Sequence, residues 1–399
     1  MTRTTLMLAL ALVMVGACSS SDDEVAPLGP PVDRLVVVDG SEVVTMTPDG
    51  ADRTVIHDGE GAVPFQPIWS HDGEQIAFSS ITDGTDFSVS VAAADGSGVV
   101  SDEAIANVFY MQWSPSSDRL GTLRNHVEGG VALDVVTVGE DGLETTEVDD
   151  GDSYYFVWSP DGADMAVHVG SGRFETWIDG EFDSIEDTPA SFQAPIWTDE
   201  GIYGVRKTDG SVMVTRYDPD GEGEDLVEVA GPTSFHVSPD GRRIVLQSLS
   251  SADGVEVAWR VQPAVDQRLP GNRVYVVDVE SGEVTEVMNR LVTGFWWSPD
   301  GERLAILYLP EGSRSRMIWR FWEDGTLTDG PEFTPLSTWV TDLIPFVDQY
   351  NRSMTPWSPD SGSLAFPGTI DGDPGIWVTE IDGETTKVSD GTWVAWSRS

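Results

Sequence analysis

The side chains able to do chemistry are spread thinly along the sequence. The five histidines, His57, His71, His126, His168 and His236, lie far apart. No two follow the His-x-His or His-Glu-x-x-His spacing that places two imidazoles on one zinc ion. The Gly-x-Ser-x-Gly elbow of a serine hydrolase is also missing. These patterns predict no enzyme active site, no metal site and no cofactor.

Aspartates recur beside glycines, as in the run at residues 149–152 (Asp-Asp-Gly-Asp). Carboxylates in such a loop can bind Ca²⁺, but the 12-residue calcium loop with its terminal Glu is absent. We therefore interpret these residues as hairpin turns.

Cys18 is the only cysteine, and it follows the small residues Gly16 and Ala17. Arg3 and an apolar run at residues 6–15 precede it, as in a secretory signal. The segment resembles the lipobox of bacterial lipoproteins, which implies removal of residues 1–17 and attachment of diacylglycerol to Cys18. A plain signal peptide with an incidental cysteine is the alternative. The resemblance predicts a cell-envelope protein, lipid-anchored to the outer face of the plasma membrane or the periplasmic side of an envelope membrane.

The segment after Cys18 is rich in serine, proline and acidic residues. Such a composition cannot offset the entropy lost on ordering, so residues 18–33 are predicted to be a disordered tether. The folded domain is expected to span residues 34–399.

The chain is strongly acidic, with 68 Asp and Glu against 22 Lys and Arg and a net charge of −46. Nucleic-acid binding requires a basic surface that displaces counterions from phosphates. The composition therefore excludes a nucleic-acid partner and suits a soluble extracytoplasmic surface.

A motif of the form Trp-Ser-Pro-Asp-Gly recurs along most of the chain, usually every 39–45 residues, with two intervals of 60. Its first position is occupied by Trp69, Trp113, Trp158, Trp197, Val237, Trp297, Trp357 and Trp396. Repeats of this length are typical of propeller blades with four strands each. The aromatic residue is expected to fill the wedge between blades, and Asp-Gly permits the positive φ of a tight turn. These eight residues are therefore assigned a structural role.

The repeats resemble those of TolB-like propellers, the PD40 or WD40-like class, over nearly all of residues 34–399. The resemblance implies an all-β propeller and leaves function open, because such blades serve binding proteins, peptidase propellers and sugar lyases. Propeller lyases assemble metal ligands from separate blades, so His168 and His236 could converge. Isolated histidines on strands are more often structural.

The ends of the sequence predict how the ring closes. Residues 34–56 have the pattern of a second, third and fourth strand, whereas residues 392–397 have that of a first strand. Pairing of these segments would remove exposed sheet edges. We therefore expect eight blades closed by the C-terminal strand, with seven as the alternative.

Two insertions, residues 251–272 and 330–354, are not required by the repeat and are expected to crowd one face. In the second, apolar residues follow a helical period over residues 337–350, with Ser337 or Thr338 as a cap and a kink at Pro345. It resembles a Pro-Phe-Phe-Asp-Gln-Tyr segment of some TolB-like proteins. One interpretation is a lid that buries its aromatic side chains. The other is a ligand pocket at the tunnel mouth, lined by Trp339, Phe346, Asp348, Tyr350 and Arg352.

The sequence therefore predicts a membrane-anchored, non-enzymatic propeller that binds a protein or a cell-envelope glycan. The alternative is a carbohydrate-active hydrolase or lyase that uses carboxylates at the tunnel mouth.

Overall fold

The computed structural model describes residues 33–399, apart from short gaps. The gaps are residues 60, 85, 103, 104, 106, 127, 128, 140, 141, 187, 188, 191, 209, 210, 230–232, 249–255, 262–264, 271, 272, 314, 382 and 399. The described residues belong to one compact unit, residues 31–399. The predicted signal peptide, Cys18 and all but the last residue of the predicted tether lie outside the described residues.

The described residues are mostly β-strand. In chain order the strands are β1 (Leu35–Asp39), β2 (Glu42–Met46), β3 (Thr54–Asp58), β4 (Ala62–Trp69), β5 (Gln75–Thr82), β6 (Asp86–Ala93), β7 (Val99–Asp102), β8 (Val108–Trp113), β9 (Arg119–Asn125), β10 (Val131–Gly139), β11 (Gly142–Asp152), β12 (Tyr154–Trp158), β13 (Met165–Val169), β14 (Arg173–Ile178), β15 (Glu181–Glu186), β16 (Ile196–Thr198), β17 (Gly201–Thr208), β18 (Ser211–Tyr217), β19 (Gly223–Val229), β20 (Thr233–Val237), β21 (Arg243–Ser248), β22 (Glu256–Val261), β23 (Val265–Pro270), β24 (Arg273–Asp278), β25 (Val284–Met288), β26 (Gly294–Trp297), β27 (Arg303–Tyr308), β28 (Met317–Glu323), β29 (Thr326–Pro335), β30 (Ser363–Ile370), β31 (Asp373–Glu380), β32 (Thr385–Ser389) and β33 (Trp393–Trp396).

These strands form seven antiparallel sheets within the described part of the chain, and five of the sheets have four strands. The five are β33-β1-β2-β3, β4 to β7, β8 to β11, β12 to β15, and β20-β21-β24-β25. The other two are larger, with six strands (β16 to β19, β22 and β23) and seven (β26 to β32). In most four-stranded groups the strands follow chain order, which is the arrangement of a propeller blade.

The repeated turn joins the first and second strands of a blade. In one copy, the hydroxyl of Ser159 donates to Asp161 Oδ1 at 2.6 Å and accepts the backbone N–H of Asp164 at 3.0 Å. Gly162 has a φ of +75°, and a Cβ atom there would lie 2.8 Å from the backbone nitrogen of Ser116 in the preceding turn. The turn therefore needs glycine for its own geometry and for close contact with its neighbour.

The repeat tryptophans connect consecutive first strands. The indole of Trp113 donates to the carbonyl of Ile68 at 3.3 Å, and that of Trp158 to the carbonyl of Gln112 at 3.2 Å. Trp69, Trp297 and Trp357 make the corresponding bonds to Ala395, His236 and Trp296. Trp69, Trp113, Trp158, Trp357 and Trp396 are buried, as are Val237 and Trp297, whereas Trp197 is partly exposed.

Strand β33 pairs with β1 in antiparallel register, with Trp396 opposite Leu35 and Trp393 opposite Val38. The last strand of the chain therefore shares one sheet with the first three, and its residues 393–396 are buried. This is the pairing that the sequence pattern predicted for these two segments.

The predicted hairpin turn at residues 149–152 is wrong. These residues belong to β11, where Asp149 pairs with Leu133 and Asp150 with Ala132. The register shifts at this point, so Gly151 lies opposite no residue of β10. A bulge in a long edge strand accommodates the glycine that the sequence suggested was a turn.

The first insertion, residues 251–272, lies between β21 and β24, as predicted. Its described backbone forms the hairpin β22–β23, which pairs with β19 of the neighbouring sheet at Val227 and Val261. The hairpin thereby extends that sheet from four strands to six.

The second insertion begins later than residue 330, because β29 continues to Pro335. A π-helical turn (Trp339–Leu343), a 3₁₀ turn (Ile344–Phe346) and α1 (Val347–Ser353) follow. Pro345 lies in the 3₁₀ turn, at the predicted break. The predicted cap does not form, because the hydroxyl of Thr338 donates to the carbonyl of Thr392 at 3.3 Å instead.

Candidate ligand-binding cleft

Residues 339–353, which we call the plug segment, lie against the first strands of several blades. The hydroxyl of Tyr350 donates to the carbonyl of Phe109 in β8 at 2.7 Å. Gln349 Nε2 donates to the carbonyl of Phe156 in β12 at 3.0 Å, and Asn351 Nδ2 to that of Phe295 in β26 at 3.0 Å. The plug segment therefore bonds to first strands of three different sheets.

Asp348 and Arg352 lie on the inner part of the plug segment. Asp348 Oδ1 accepts a hydrogen bond from the hydroxyl of Ser234 at 2.9 Å, and burial raises the pKa of this carboxyl. Burial lowers the pKa of Arg352 to about 10. The backbone carbonyl of Arg352 accepts a hydrogen bond from Arg398. The carboxylate of Asp348 and the backbone carbonyl of Arg352 therefore help to hold the plug segment in place.

Trp339 packs into an aromatic cluster beneath the plug segment. Its ring lies 6.0 Å from that of Trp319 and 6.4 Å from that of Phe333, and it is buried. Trp339 is thus part of the core, in line with the prediction of a lid that buries its aromatic residues.

A cleft of about 590 Å³ opens beside the plug segment. It is lined by Phe65, Gln66, Phe87, Asn107, Val108, Phe109, Tyr110, Leu123, Asn125, Val131, Ser153, Tyr154, Tyr155, Phe192, Thr341, Asp342, Phe346, Gln349 and Tyr350. We call this site the aromatic cleft, because nine of the 19 lining residues are Phe or Tyr. Its volume falls in the range of about 300–1,000 Å³ that is usual for small-ligand sites.

The aromatic rings of the cleft are held by contacts with one another. Tyr155 stacks on Phe192 with a centroid distance of 4.4 Å and an interplanar angle of 26°. Tyr110 meets Tyr350 edge to face at 5.4 Å. Phe109 and Phe346 remain 36% and 51% exposed, so two apolar rings are open to solvent at the rim. Exposed phenylalanines beside a concave apolar wall are typical of a binding surface.

Gln66 has an unusual backbone in the wall of the cleft. Its φ is +52°, and it lies in β4 where the register shifts between Phe65 and Ile68. Non-glycine residues with positive φ inside strands are strained and cluster at functional sites. The strain places the buried amide of Gln66 where its Nε2 donates to the hydroxyl of Tyr350 at 2.5 Å.

Two buried amide oxygens in the cleft wall have no hydrogen-bond partner among the described residues. They are Oε1 of Gln66 and Oε1 of Gln349. Both amide nitrogens are already used, by Tyr350 and by the carbonyl of Phe156. Both oxygens are shielded from solvent, so they belong to the packed wall behind the cleft and not to its open surface.

Charge is scarce in the lining. Among the lining residues that the structure describes, Asp342, exposed at the rim, is the one ionisable acid or base apart from the tyrosines, and no Lys, Arg or His contributes. The cleft is therefore suited to an uncharged ligand surface.

The predicted ligand residues divide into two groups. Phe346 and Tyr350 line the aromatic cleft, whereas Trp339, Asp348 and Arg352 do not. Sequence reasoning did not identify the remaining residues that line the cleft. A signal was present: the residues three and four positions before three repeat tryptophans are Phe65-Gln66, Phe109-Tyr110 and Tyr154-Tyr155, and all six line the cleft.

The histidines do not converge. His168 Nδ1 lies 3.0 Å from the carbonyl of Gln193, and His236 Nε2 lies 3.0 Å from Asn351. Burial lowers the pKa of both imidazoles. No cluster of three metal-ligating side chains occurs among the described residues.

Within the part of the chain that the structure describes, no helix is long and apolar enough to cross a membrane.

The fold places the chain in the class of β-propellers. Of the solved structures, a eukaryotic initiation factor matches at 11% identity over 92% of this chain and 98% of its own, with a TM-score of 0.58. An oligogalacturonate lyase in complex with manganese matches at 13% identity over 88% and 96%, with a TM-score of 0.51. TolB from Acinetobacter baumannii matches at 14% identity over 83% and 68%, with a TM-score of 0.41.

No family model matches the sequence, and no curated protein matches it. The likeness to solved structures is therefore one of fold. It confirms the predicted all-β propeller fold and leaves the function to be inferred from the site itself.

Proposed function

We propose that this protein is a lipid-anchored, extracytoplasmic propeller that binds a cell-envelope ligand in the aromatic cleft without chemically changing it. The aromatic cleft is the observation that carries the proposal. It combines exposed Phe109 and Phe346 with a strained Gln66 and with the uncharged polar side chains of Asn125, Ser153 and Thr341. Such convergence of apolar walls with a few fixed polar atoms is the usual form of a ligand site.

We further propose eight blades. Five four-stranded sheets count as one each, and the six-stranded sheet counts as one after the hairpin β22–β23 is set aside. The seven-stranded sheet supplies two, if Trp357, which bridges to Leu364, is taken as a first strand for β30 to β32. The pairing of β33 with β1 supports closure of the ring between the ends of the domain.

The proposed anchor is diacylglycerol on Cys18, as the lipobox resemblance implies. A Cys18→Ser variant, expressed beside the native protein in a bacterial host with lipoprotein processing, is expected to move from the membrane to the soluble fraction. The native protein is expected to incorporate labelled palmitate. Membrane retention of the variant would contradict a lipid anchor and favour another mode of association.

The ligand site is tested by photo-crosslinking in intact envelopes. A photoreactive phenylalanine at residue 346, on the cleft, is compared with one at Val340, which is 44% exposed on the same segment but outside the cleft. We expect an adduct from residue 346 that residue 340 does not give. Equal labelling from both positions, or none from residue 346, would overturn the proposal that the cleft is the binding site.

The enzymatic alternative remains a carbohydrate-active hydrolase or lyase. It requires an acid and a base, or a bound cation, at reacting distance from the substrate. In the described cleft the carboxylate is Asp342 alone, and in the centre Asp348 is engaged by Ser234. The arrangement thus favours binding. Release of unsaturated or reducing ends from polysaccharides, with Mn²⁺ added, would support the enzyme instead.

A further inference from the structure

The chemistry of the aromatic cleft restricts the class of ligand that can bind there. We propose that it binds a neutral glycan, one that carries no carboxylate, sulfate or phosphate on the sugars seated in the cleft. This inference rests on the proposed function, because it assigns a ligand class to the same site.

The polar part of the lining consists of uncharged amides and hydroxyls. Asn125, Ser153 and Thr341 line the cleft and are exposed to solvent. Amides and hydroxyls donate and accept hydrogen bonds, so a ligand that covers them must offer hydrogen-bonding groups in return. Sugar hydroxyls are groups of this kind.

The aromatic rings require a ligand with apolar faces. Phe109 and Phe346 expose ring surface at the rim, while Tyr155 and Phe192 form a stacked pair in the wall. A pyranose ring has a face of C–H bonds and an edge of hydroxyls. It can therefore cover an aromatic ring and reach the polar side chains of the lining at the same time. An acyl chain covers the rings but offers no hydrogen-bonding groups.

Charge excludes acidic glycans from the cleft. No cationic side chain lines it in the part of the chain that the structure describes, Asp342 lies at its rim, and the chain carries a net charge of −46. A uronate or phosphate would meet repulsion from the field of the whole protein, with no guanidinium to compensate. The same field discriminates little against an uncharged sugar.

The test uses the full-length lipidated protein in a zwitterionic detergent, because detergents with sugar headgroups would compete. Cello-, manno-, chito- and maltohexaose are titrated in a calorimeter, with hexagalacturonate as the charged probe. We expect at least one neutral hexasaccharide to bind and hexagalacturonate to fail. Saturation transfer from protein protons to the sugar C–H protons should confirm ring contact.

Substitutions on the plug segment show whether the glycan binds in the aromatic cleft. Phe346→Ala should weaken the affinity about tenfold or more, as is usual when an aromatic anchor is removed. Phe346→Tyr should retain it, and so should Val340→Ala, which changes the same segment outside the cleft. Circular dichroism and the melting temperature show whether each variant is folded.

Two results would overturn the inference. Binding of hexagalacturonate in place of the neutral sugars would contradict the charge argument. If none of the four neutral sugars binds while residue 346 still crosslinks to an envelope component, the ligand is not a neutral glycan, and the proposed binding function stands. Failure of both experiments would remove the binding function as well.

Discussion

The hydroxyl of Tyr350 joins the plug segment to two blades, and its removal should weaken the whole domain. It accepts from Gln66 Nε2 at 2.5 Å and donates to the carbonyl of Phe109 at 2.7 Å. In Tyr350→Phe the volume is kept, but both bonds are lost and the buried amide of Gln66 has no acceptor. Each unsatisfied buried group costs about 1–3 kcal/mol, so we expect a loss of about 3 kcal/mol.

Calorimetry measures this loss of stability as a decrease in the melting temperature. An unfolding entropy of about 2.1 cal/mol/K per residue over residues 31–399 gives about 0.8 kcal/mol/K, so the melting temperature should fall by about 4 °C. The control is Tyr308→Phe, since Tyr308 is also buried but its hydroxyl makes no hydrogen bond within the described residues. It should melt within about 1 °C of the native protein. A Tyr350→Phe variant no less stable than this control would refute the reasoning.

Three further substitutions test other contacts. Asp134→Asn removes the carboxylate that pairs with Arg124 Nε at 2.7 Å, and urea unfolding should show a loss of about 3 kcal/mol because the Asp134 side chain is fully buried. Ser159→Ala should lose about 1–2 kcal/mol in the same assay, because the repeat turn loses both bonds of the hydroxyl. Burial lowers the pKa of His168 to about 4. The unfolded chain is protonated first as the pH falls below about 6.5, so stability is lost on acidification, by about 2 kcal/mol at pH 5. His168→Gln should remove that part of the difference in unfolding free energy between pH 7.5 and pH 5.

Each substitution has its own check. Asp329→Asn breaks an ion pair whose aspartate is 70% exposed, and it should change stability by less than about 1 kcal/mol. If it weakened the domain as much as Asp134→Asn, burial would not be the cause. Ser159→Thr keeps a hydroxyl and should recover most of the loss seen with alanine. A His168→Gln variant with the pH dependence of the native protein would show that this imidazole is not the group responsible.

The repeat was visible in the sequence because each copy carries its own local signal. Trp158, Asp161 and Gly162 report on one turn whichever blades surround it, and the helical period of residues 337–350 reports on one segment. Such features depend on residues that are close together in the sequence, so they can be predicted from a single sequence.

The cleft was not visible because it depends on neighbours in space. Tyr350 bonds to Gln66 and Phe109, which lie 284 and 241 residues away in the sequence. The sequence pattern of residues 337–350 could not show that Asp348 bonds to Ser234, or that the backbone carbonyl of Arg352 bonds to Arg398. Nor does any sequence pattern indicate that Gln66 adopts a positive φ. These facts follow from how the sheets are arranged in space.

The plug segment also affects how the domain unfolds. In an open array of repeats each unit contacts only its neighbours, and units at the ends can melt separately. Here Tyr350, Gln349 and Asn351 bond to β8, β12 and β26, which belong to three different sheets. One blade therefore cannot fray without disturbing contacts made by others, so the propeller should unfold in a single cooperative step.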